Sequence, residues 1–195
     1  GDLEGAIERA GHVPLPPYLR RADEPQDRDR YQTIFAEKPG SAAAPTAGLH
    51  FTRALVDALR ARRVETARVT LHVGYGTFQP IETERVEEHR MHAEEFEVTE
   101  AAARAVKERK GRLVAVGTTT ARVLETLAAT GGIRAARGRT DLYLHPGKPF
   151  RAVEALLTNF HLPRSSLLLL VCAFAGRELV LRAYAHAIER GYRFY

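Results

Sequence analysis

The fold of this chain is decided by Val114-Ala115-Val116-Gly117-Thr118-Thr119-Thr120, which passes from an apolar run through a glycine to hydroxyl side chains. A short continuous apolar run is typical of a strand that is covered on both faces. The apolar residues that follow recur at helical spacing, namely Val123, Leu124, Leu127 and Ala128. The stretch therefore predicts a strand, a turn and a helix, which is the repeating unit of an α/β protein.

The same alternation extends along the chain in both directions. Residues 67–73 alternate apolar and polar side chains with a period of two, which predicts a strand with one buried face. Further strands are predicted at 92–98, 142–144 and 155–157, and helices at 2–10, 54–59, 99–109, 167–175 and 179–188. We therefore predict an α/β fold with a mixed, largely parallel sheet flanked by helices, in a single catalytic domain over residues 1–195.

The composition favours a soluble protein with a substantial core. The chain has 195 residues, of which 45% are hydrophobic. Its one cysteine, Cys172, lies within the apolar run 167–175 and cannot form a disulfide within the chain, which suits a reducing compartment. That run is far shorter than the roughly 20 residues that cross a bilayer. We expect a cytoplasmic monomer with no membrane association.

The charge is compatible with an RNA partner without requiring one. The formal net charge is +5, and most of the 29 basic residues are arginines, whose planar guanidinium pairs well with phosphate. The clusters at 60–63 and 134–139 are candidate RNA-facing surfaces. Genomic base composition or a thermophilic source would also explain the arginines, and a solvated face would explain each cluster.

The glycine–threonine turn has the features of an anion site. Backbone N–H groups at the start of a helix have no intrahelical acceptor, and the helix dipole favours negative charge there. Thr118 and Thr119 would lie at this helix start, and Arg122 one turn further along strengthens the case for an anion such as a methionyl carboxylate or an RNA phosphate. Simple capping of the helix by Thr118 or Thr119 is the alternative.

A second polar segment precedes the predicted helix 167–175. Pro163 stops any earlier helix, and Ser166, the second serine, is expected to cap the new one. Asn159 and His161 have no such structural duty, so we expect them to face a ligand. Because α/β proteins bind ligands beyond the carboxyl ends of strands, the turn that carries Thr118 should open on the same cleft.

The segment around His92 allows two interpretations. If residues 92–98 form a strand, then His92 and Glu94 share a face with core residues, and an imidazole beside a carboxylate suits acid–base chemistry. A structural hydrogen bond is the plainer alternative. His89, His92 and Glu94 could instead form a zinc site, but no cysteine or further histidine pair supports it.

Two glycine-containing segments complete the candidate site. Gly74 and Gly76 follow a strand but do not match the dinucleotide-binding fingerprint, so they more plausibly permit a tight turn or close approach to a ligand. His72, on the polar side of its strand, faces either a cleft or water. The small residues near Thr46 and Gly48 leave space for a planar ligand such as adenine, with His50 on the pocket wall. A histidine buried in the core is the alternative for His50.

Five segments carry a resemblance that covers nearly the whole chain, from about Gly11 to Tyr195. They are Ala44-Pro45-Thr46-Ala47-Gly48-Leu49-His50-Phe51-Thr52, His72-Val73-Gly74-Tyr75-Gly76-Thr77-Phe78, His89-Arg90-Met91-His92-Ala93-Glu94, Val116-Gly117-Thr118-Thr119-Thr120-Ala121-Arg122 and Asn159-Phe160-His161-Leu162-Pro163-Arg164-Ser165-Ser166. In this order they resemble the S-adenosylmethionine:tRNA ribosyltransferase-isomerase family of queuosine biosynthesis. Residue chemistry alone does not lead to this substrate.

The resemblance implies a reaction in which S-adenosylmethionine is a consumed cosubstrate and not a methyl donor. Its ribosyl part is transferred to 7-aminomethyl-7-deazaguanine at the tRNA wobble position and isomerised, which gives epoxyqueuosine-tRNA, adenine and methionine. No cofactor or metal is required. The candidate catalytic residues are His92, Glu94, His161 and His50, and the candidate substrate-binding residues are Thr46, Gly48, His72, Gly74, Gly76, Thr118, Thr119, Arg122 and Asn159.

Two other function classes stay open at this point. A non-catalytic RNA-binding module would need aromatic platforms, but aromatic residues are only 8% of the chain. A metal-dependent hydrolase would depend on His89, His92 and Glu94. The resemblance further implies that the family has an additional N-terminal region and a C-terminal motif that this chain lacks, so we expect a fragment of the catalytic protein.

Overall fold

The chain alternates helices and strands, as its apolar patterns predict. The computed structural model describes residues 3–193. The helices are α1 (Leu3–Ala10), α2 (Asp27–Arg30), α3 (Arg53–Ala61), α4 (Glu100–Glu108), α5 (Thr118–Ala129), α6 (Ser166–Ala175) and α7 (Arg177–Glu189). The strands are β1 (Thr70–His72), β2 (Glu94–Val98), β3 (Val114–Val116), β4 (Ala136–Thr140) and β5 (Ala155–Leu157). Short 3₁₀ segments lie at Pro17–Leu19, Thr46–His50, Tyr75–Phe78 and Val86–Glu88. The α/β class is confirmed; residue 2 of the predicted first helix lies outside the described part.

The strands form two small sheets, so the prediction of one largely parallel sheet is wrong. In the first sheet, β2 lies between β1 and β4 and is antiparallel to both. In the second, β3 and β5 form a parallel pair. The predicted strand at 142–144 does not form, and β4 takes its place a few residues earlier. The sequence of β4 shows little apolar alternation, because its central residue, which pairs with Phe96 of β2, is Gly138.

Helix α5 packs against both sheets and joins the two parts of the core. Its residues Val123 and Leu127 are fully buried with Phe96 and Val98 of the antiparallel sheet. On another side, its residues contribute to a second cluster that contains Ala115, Ala121, Leu124 and Val153. The start of α5 is therefore held in a fixed position relative to both sheets.

Local capping sets where the helices begin. Thr52 and Thr99 cap α3 and α4, because their side chains accept hydrogen bonds from Leu55 N–H and Ala102 N–H. Helix α6 is capped by the first serine, Ser165, which accepts from Leu168 N–H, and not by Ser166 as predicted. Two consecutive serines are equivalent in a sequence pattern, and only the backbone conformation distinguishes them.

A buried carboxylate ties α5 to the chain that enters β5. Glu125 is only 2% exposed and accepts hydrogen bonds from three consecutive backbone N–H groups, those of residues 151, 152 and 153, at 2.7–2.9 Å. These bonds compensate the charge for its loss of water. The contact fixes the amino end of β5 against the middle of α5.

The described residues contain no helix with the length and apolar character needed to span a membrane. The strongly apolar helix α6 buries only Leu170 and Cys172 completely, and its other residues are partly exposed.

Candidate functional site

The two polar turns emerge at the same edge of the parallel pair, as predicted. Because β3 and β5 are parallel, the turn before α5 and the loop 158–165 both follow carboxyl ends of strands. Gly117 N–H donates to Leu157 O at 2.8 Å and joins the two strand ends. Thr118, Thr119 and His161 line one cavity of about 150 Å³ beyond this edge.

A second, larger cavity adjoins the first. Its volume is about 520 Å³, and it is lined by Pro16, Tyr18, Leu19, Tyr31, Thr46, Leu49, His50, Asn159 and Leu162. Four of these residues, Tyr18, Tyr31, Thr46 and Leu162, line the smaller cavity as well. We call the two cavities together the cleft. Their combined size is in the range of ligand pockets, about 300–1,000 Å³.

His50 and Asn159 meet at the mouth of the larger cavity. His50 Nε2 lies 2.9 Å from Asn159 Oδ1, although the two residues are 109 positions apart in the chain. An amide oxygen only accepts, so His50 Nε2 donates in this bond and Nδ1 is left for another partner. His50 is exposed. The contact brings together two residues that the sequence placed in the candidate site on separate grounds.

His161 is buried, which contradicts the expectation that it has no structural duty. The residue is 4% exposed, and burial lowers the pKa of its imidazole to about 4. Its backbone N–H donates to the Tyr184 hydroxyl at 2.7 Å, and its Nε2 lies 3.1 Å from Thr158 Oγ1. Its Nδ1 is buried with no hydrogen-bond partner among residues 3–193. The ring is therefore a neutral, partly unsatisfied group at pH 7.

The predicted turn residues Thr118 and Thr119 line the cleft and do not cap α5. The N-cap is Gly117, whose φ of 87° is readily adopted only by glycine, and no side-chain cap bond is present. Thr120 donates instead to Val116 O at 2.8 Å. The capping alternative for Thr118 and Thr119 is therefore wrong, and both residues are available to a ligand.

Glu94 is on the buried face of β2 as predicted, but its partner is Arg122 and not His92. Glu94 Oε2 and Arg122 Nη1 are 2.6 Å apart, with side-chain exposures of 6% and 4%. Glu94 Oε1 also accepts from Gly74 N–H at 3.0 Å. Arg122 lines neither cavity, so its predicted role as a direct ligand contact has no support in this geometry.

His92 precedes β2 and is exposed, so it does not share the buried face of Glu94. Its Nε2 lies 3.0 Å from Gln79 Oε1, and Gln79 lines the smaller cavity. A Cβ at Gly76 would lie 2.4 Å from His92 Cδ2. The group that approaches Gly76 closely is therefore this imidazole and not a ligand, and neither Gly74 nor Gly76 lines either cavity.

The remaining predicted residues lie around the cleft to different extents. Thr46 lines both cavities. Gly48 lines neither cavity and is buried against Thr33, where a Cβ would lie 3.0 Å from a methyl group. His72 lines neither cavity and packs against Gly40, and its Nδ1 is buried without a partner within residues 3–193.

The zinc ligand set considered above is not assembled. Within residues 3–193 no group of three His, Cys, Asp or Glu side chains could hold a metal ion. His89 packs edge-on against Tyr143, with ring centroids 5.2 Å apart, and Glu94 is occupied by Arg122. The metal-dependent hydrolase therefore loses its structural basis.

The two arginine clusters differ in their surroundings. Arg137 of β4 pairs with Glu97 at 2.8 Å, and Glu97 also pairs with Lys38. At the end of α3, Arg62 and Arg63 are exposed and make no ion pair within the described part of the chain. In the α3 cluster only Arg60 has a carboxylate partner among the described residues, Asp57, whereas both arginines of β4 lie opposite carboxylates of β2 in the sheet register.

Several residues of the cleft were not identified from the sequence. Tyr18 and Tyr31 line both cavities, and burial raises the pKa of Tyr31. Tyr184 belongs to the apolar stripe of α7, and nothing in that pattern indicates that its hydroxyl holds His161. Thr158 could have been found, because it directly follows the predicted strand 155–157 and precedes Asn159.

Comparisons with known proteins identify the same family as the five sequence segments. Residues 2–195 match the family model described as queuosine biosynthesis protein. A protein of Anaeromyxobacter sp. (strain K), named S-adenosylmethionine:tRNA ribosyltransferase-isomerase, is 57% identical over 197 residues, which cover 100% of this chain and 57% of that protein. A protein of the same name from Acidithiobacillus ferrooxidans is 58% identical over 97% of this chain and 56% of its own length. This chain thus spans little more than half the length of these curated relatives.

A solved structure is also similar to this chain. The crystal structure of an S-adenosylmethionine tRNA ribosyltransferase from Thermotoga maritima superposes with a TM-score of 0.63 at 44% sequence identity. The match covers 76% of this chain and 48% of that one.

Proposed function

Because this chain belongs to the queuosine biosynthesis protein family, we propose that it carries the S-adenosylmethionine site of a tRNA ribosyltransferase-isomerase. The reaction transfers the ribosyl part of S-adenosylmethionine to 7-aminomethyl-7-deazaguanine in the anticodon of tRNA. Isomerisation of the sugar gives epoxyqueuosine-tRNA, with release of adenine and methionine. S-adenosylmethionine is consumed, and neither a cofactor nor a metal takes part.

The observation that carries the proposal is the cleft at the carboxyl edge of β3 and β5. Four of the five segments that resemble the family contribute lining residues to it, including His50, Thr77, Thr118 and His161. The larger cavity, with Tyr18 and Tyr31 on its walls, suits a planar base. The smaller cavity suits the amino-acid end of the cosubstrate.

His50 is the proton carrier that the geometry supports best. The reaction needs removal of an acidic proton next to the sulfonium and protonation of the departing adenine. Asn159 orients the His50 ring through Nε2, which leaves Nδ1 to exchange a proton at the mouth of the cleft. His161, with its pKa near 4, is a weak base and serves better as a neutral binding group.

The other candidate residues act by positioning. Glu94 holds both Arg122 and the Gly74 amide and thereby fixes the segment that carries Thr77 into the cleft. His92 orients Gln79 on the cleft wall. The protein works on tRNA in the cytoplasm, as a monomer and without membrane association.

Adenine release from S-adenosylmethionine tests the proposal. The chain is incubated with the cosubstrate and tRNA that carries 7-aminomethyl-7-deazaguanine, and adenine and methionine are quantified together with the mass of the digested RNA. We expect equal amounts of adenine and methionine and a nucleoside whose mass has increased by the transferred group. His50→Gln should lower the rate by about 10²–10⁴-fold, as is typical for loss of an acid–base group.

Two controls define the alternatives. The same tRNA with unmodified guanine at the wobble position should release no adenine. Formation of S-adenosylhomocysteine would instead show that the cosubstrate is a methyl donor, and tRNA binding without any turnover would favour the non-catalytic RNA-binding module. Exposed His186, on α7 and outside both cavities, supplies the matched variant His186→Gln, whose rate should stay unchanged.

A further inference from the structure

The smaller cavity is bounded on one side by hydrogen-bond donors that have no acceptor. It is lined by Gly117, Thr118 and Thr119 at the start of α5, where the first amide groups lack an intrahelical partner. The hydroxyls of Thr118 and Thr119 make no cap bond. The partial positive charge at this end of the twelve-residue helix also favours an anion.

A second observation, on the loop that follows β5, points to a ligand. His161 lines the same cavity, is 4% exposed, and has a buried Nδ1 with no hydrogen-bond partner in the described part of the chain. Buried polar atoms in folded proteins are nearly always hydrogen-bonded. Because His161 lines the cavity, a group bound there could supply the missing partner of this nitrogen.

The hydroxyl of Thr158, which lies next to His161 Nε2, allows the ring hydrogen of the neutral imidazole to be on Nδ1. Thr158 Oγ1 lies 3.1 Å from Nε2 and can donate its hydroxyl hydrogen to that nitrogen. The neutral ring then has its own hydrogen on Nδ1. The helix amides, the two threonine hydroxyls and Nδ1–H together form a set of donors that suits an oxygen anion.

The charges around the cavity agree with an anionic ligand. None of its lining residues is Asp or Glu, whereas Arg164 is one of them. The volume of the smaller cavity, about 150 Å³, favours a terminal carboxylate over an RNA phosphate. An RNA phosphodiester continues as a nucleotide chain on both sides and does not end in so small a space.

We propose that His161 Nδ1–H and the first turn of α5 bind the methionyl carboxylate of S-adenosylmethionine in the smaller cavity. The inference rests on the proposed function and deepens it, because it assigns one end of the cosubstrate. In this arrangement the nucleoside extends into the larger cavity, towards His50. Thr158 is a positioning residue that sets the tautomer of His161.

Binding of S-adenosylmethionine and of its decarboxylated analogue, measured by calorimetry, tests the inference without any variant. A hydrogen-bonded carboxylate should make S-adenosylmethionine bind at least about 10-fold more tightly than the analogue. His161→Asn places an amide N–H near the position of Nδ1 and should keep most of this ratio. His161→Gln reaches towards Nε2 instead and should reduce the ratio to about 1–3-fold, as should Thr158→Val in part.

Each outcome decides between the two proposals. Equal affinity of the wild-type chain for both compounds overturns the inference and leaves the proposed function intact. No binding of either compound overturns the proposed function and the inference with it. A ratio that stays at the wild-type value in both His161→Asn and His161→Gln, with both variants folded by thermal melt, removes His161 from the site. A loss of tRNA affinity in His161→Gln with an unchanged ratio would show that the anion is an RNA phosphate.

Discussion

For the single residue His161, burial determines the charge of the imidazole and therefore its chemistry. The imidazole has exchanged water for protein on almost all of its surface, and desolvation disfavours its protonated form. A histidine of ordinary pKa would be partly charged near neutrality, whereas this one stays neutral down to about pH 4. It can therefore donate or accept a hydrogen bond without adding charge to the cleft, as the proposed binding of a sulfonium compound requires.

This protonation behaviour makes the free energy of unfolding depend on pH. The folded-state pKa of His161, about 4, is below the unfolded value, so the unfolded chain binds more protons between these values. Stability should be fully present above about pH 6.5 and fall by about 2 kcal/mol between pH 7 and pH 5. Urea unfolding at several pH values measures this dependence.

His161→Asn is the matched variant, because it removes the titrating group and keeps a polar side chain. The difference in pH slope between the two proteins isolates His161 from His89, whose pKa is also lowered by burial. Identical slopes would contradict the buried, neutral state of His161.

The Glu94–Arg122 pair gives a second prediction for single residues. Arg122 is 3% exposed, and its Nε and Nη2 have no hydrogen-bond partner within residues 3–193. Glu94→Ala would leave a buried guanidinium without its carboxylate, so we expect a loss of about 3–5 kcal/mol. Chemical denaturation of Glu94→Ala, Arg122→Met and the double variant should show that the double variant loses less than the sum of the single ones. Additive losses would mean that the pair is not coupled.

Among the secondary-structure elements, helix α6 begins where the hydroxyl of Ser165 caps it. Ser165 Oγ accepts from Leu168 N–H and donates to Leu162 O at 2.7 Å, so it binds the helix to the loop that carries His161. Ser165→Ala should cost about 1 kcal/mol of stability, the usual value of an N-cap. Ser166→Ala is the neighbouring control and should cost little. The reverse order, measured by thermal or urea unfolding, would place the cap at Ser166.

Elements with a strong apolar period were predictable from the sequence, and elements with a weak one were not. Alternation placed Glu94, Phe96 and Val98 on one face of β2, and the structure confirms it. β4 was missed because Gly138 replaces the apolar residue that would have marked its inner face. Strand direction was also missed, since side-chain alternation is the same in parallel and antiparallel strands.

The same limit applies to the candidate site. The two turns could be placed at one edge because each follows a predicted strand and precedes a predicted helix. The contacts between distant residues could not be predicted. No pattern near Glu94 indicates that its partner is Arg122. No pattern in α7 indicates that the Tyr184 hydroxyl accepts a hydrogen bond from His161 N–H. These are long-range pairings that only the folded backbone brings together.

Charge distribution gives a prediction at the scale of the whole molecule. The arginines of β4 face carboxylates across the sheet, whereas Arg62 and Arg63 at the end of α3 have no such partner in the described part of the chain. Arg62→Gln with Arg63→Gln should weaken tRNA binding and reduce the slope of log affinity against log salt by about 2. Arg137→Gln is the matched control and should change both quantities less. A larger effect of Arg137→Gln would assign the RNA surface to β4.

The carboxylate of Glu125 has a mechanical consequence. By holding three consecutive amides before β5, it restrains this segment against α5, and hydrogen exchange at residues 151–153 should be correspondingly slow. We therefore expect the side of the cleft that is formed by β5 and the start of α5 to be its less deformable side. We expect any opening of the cleft to involve the segment Thr46–His50 instead, whose contact with loop 158–165 through His50 and Asn159 is a single, exposed hydrogen bond between two side chains.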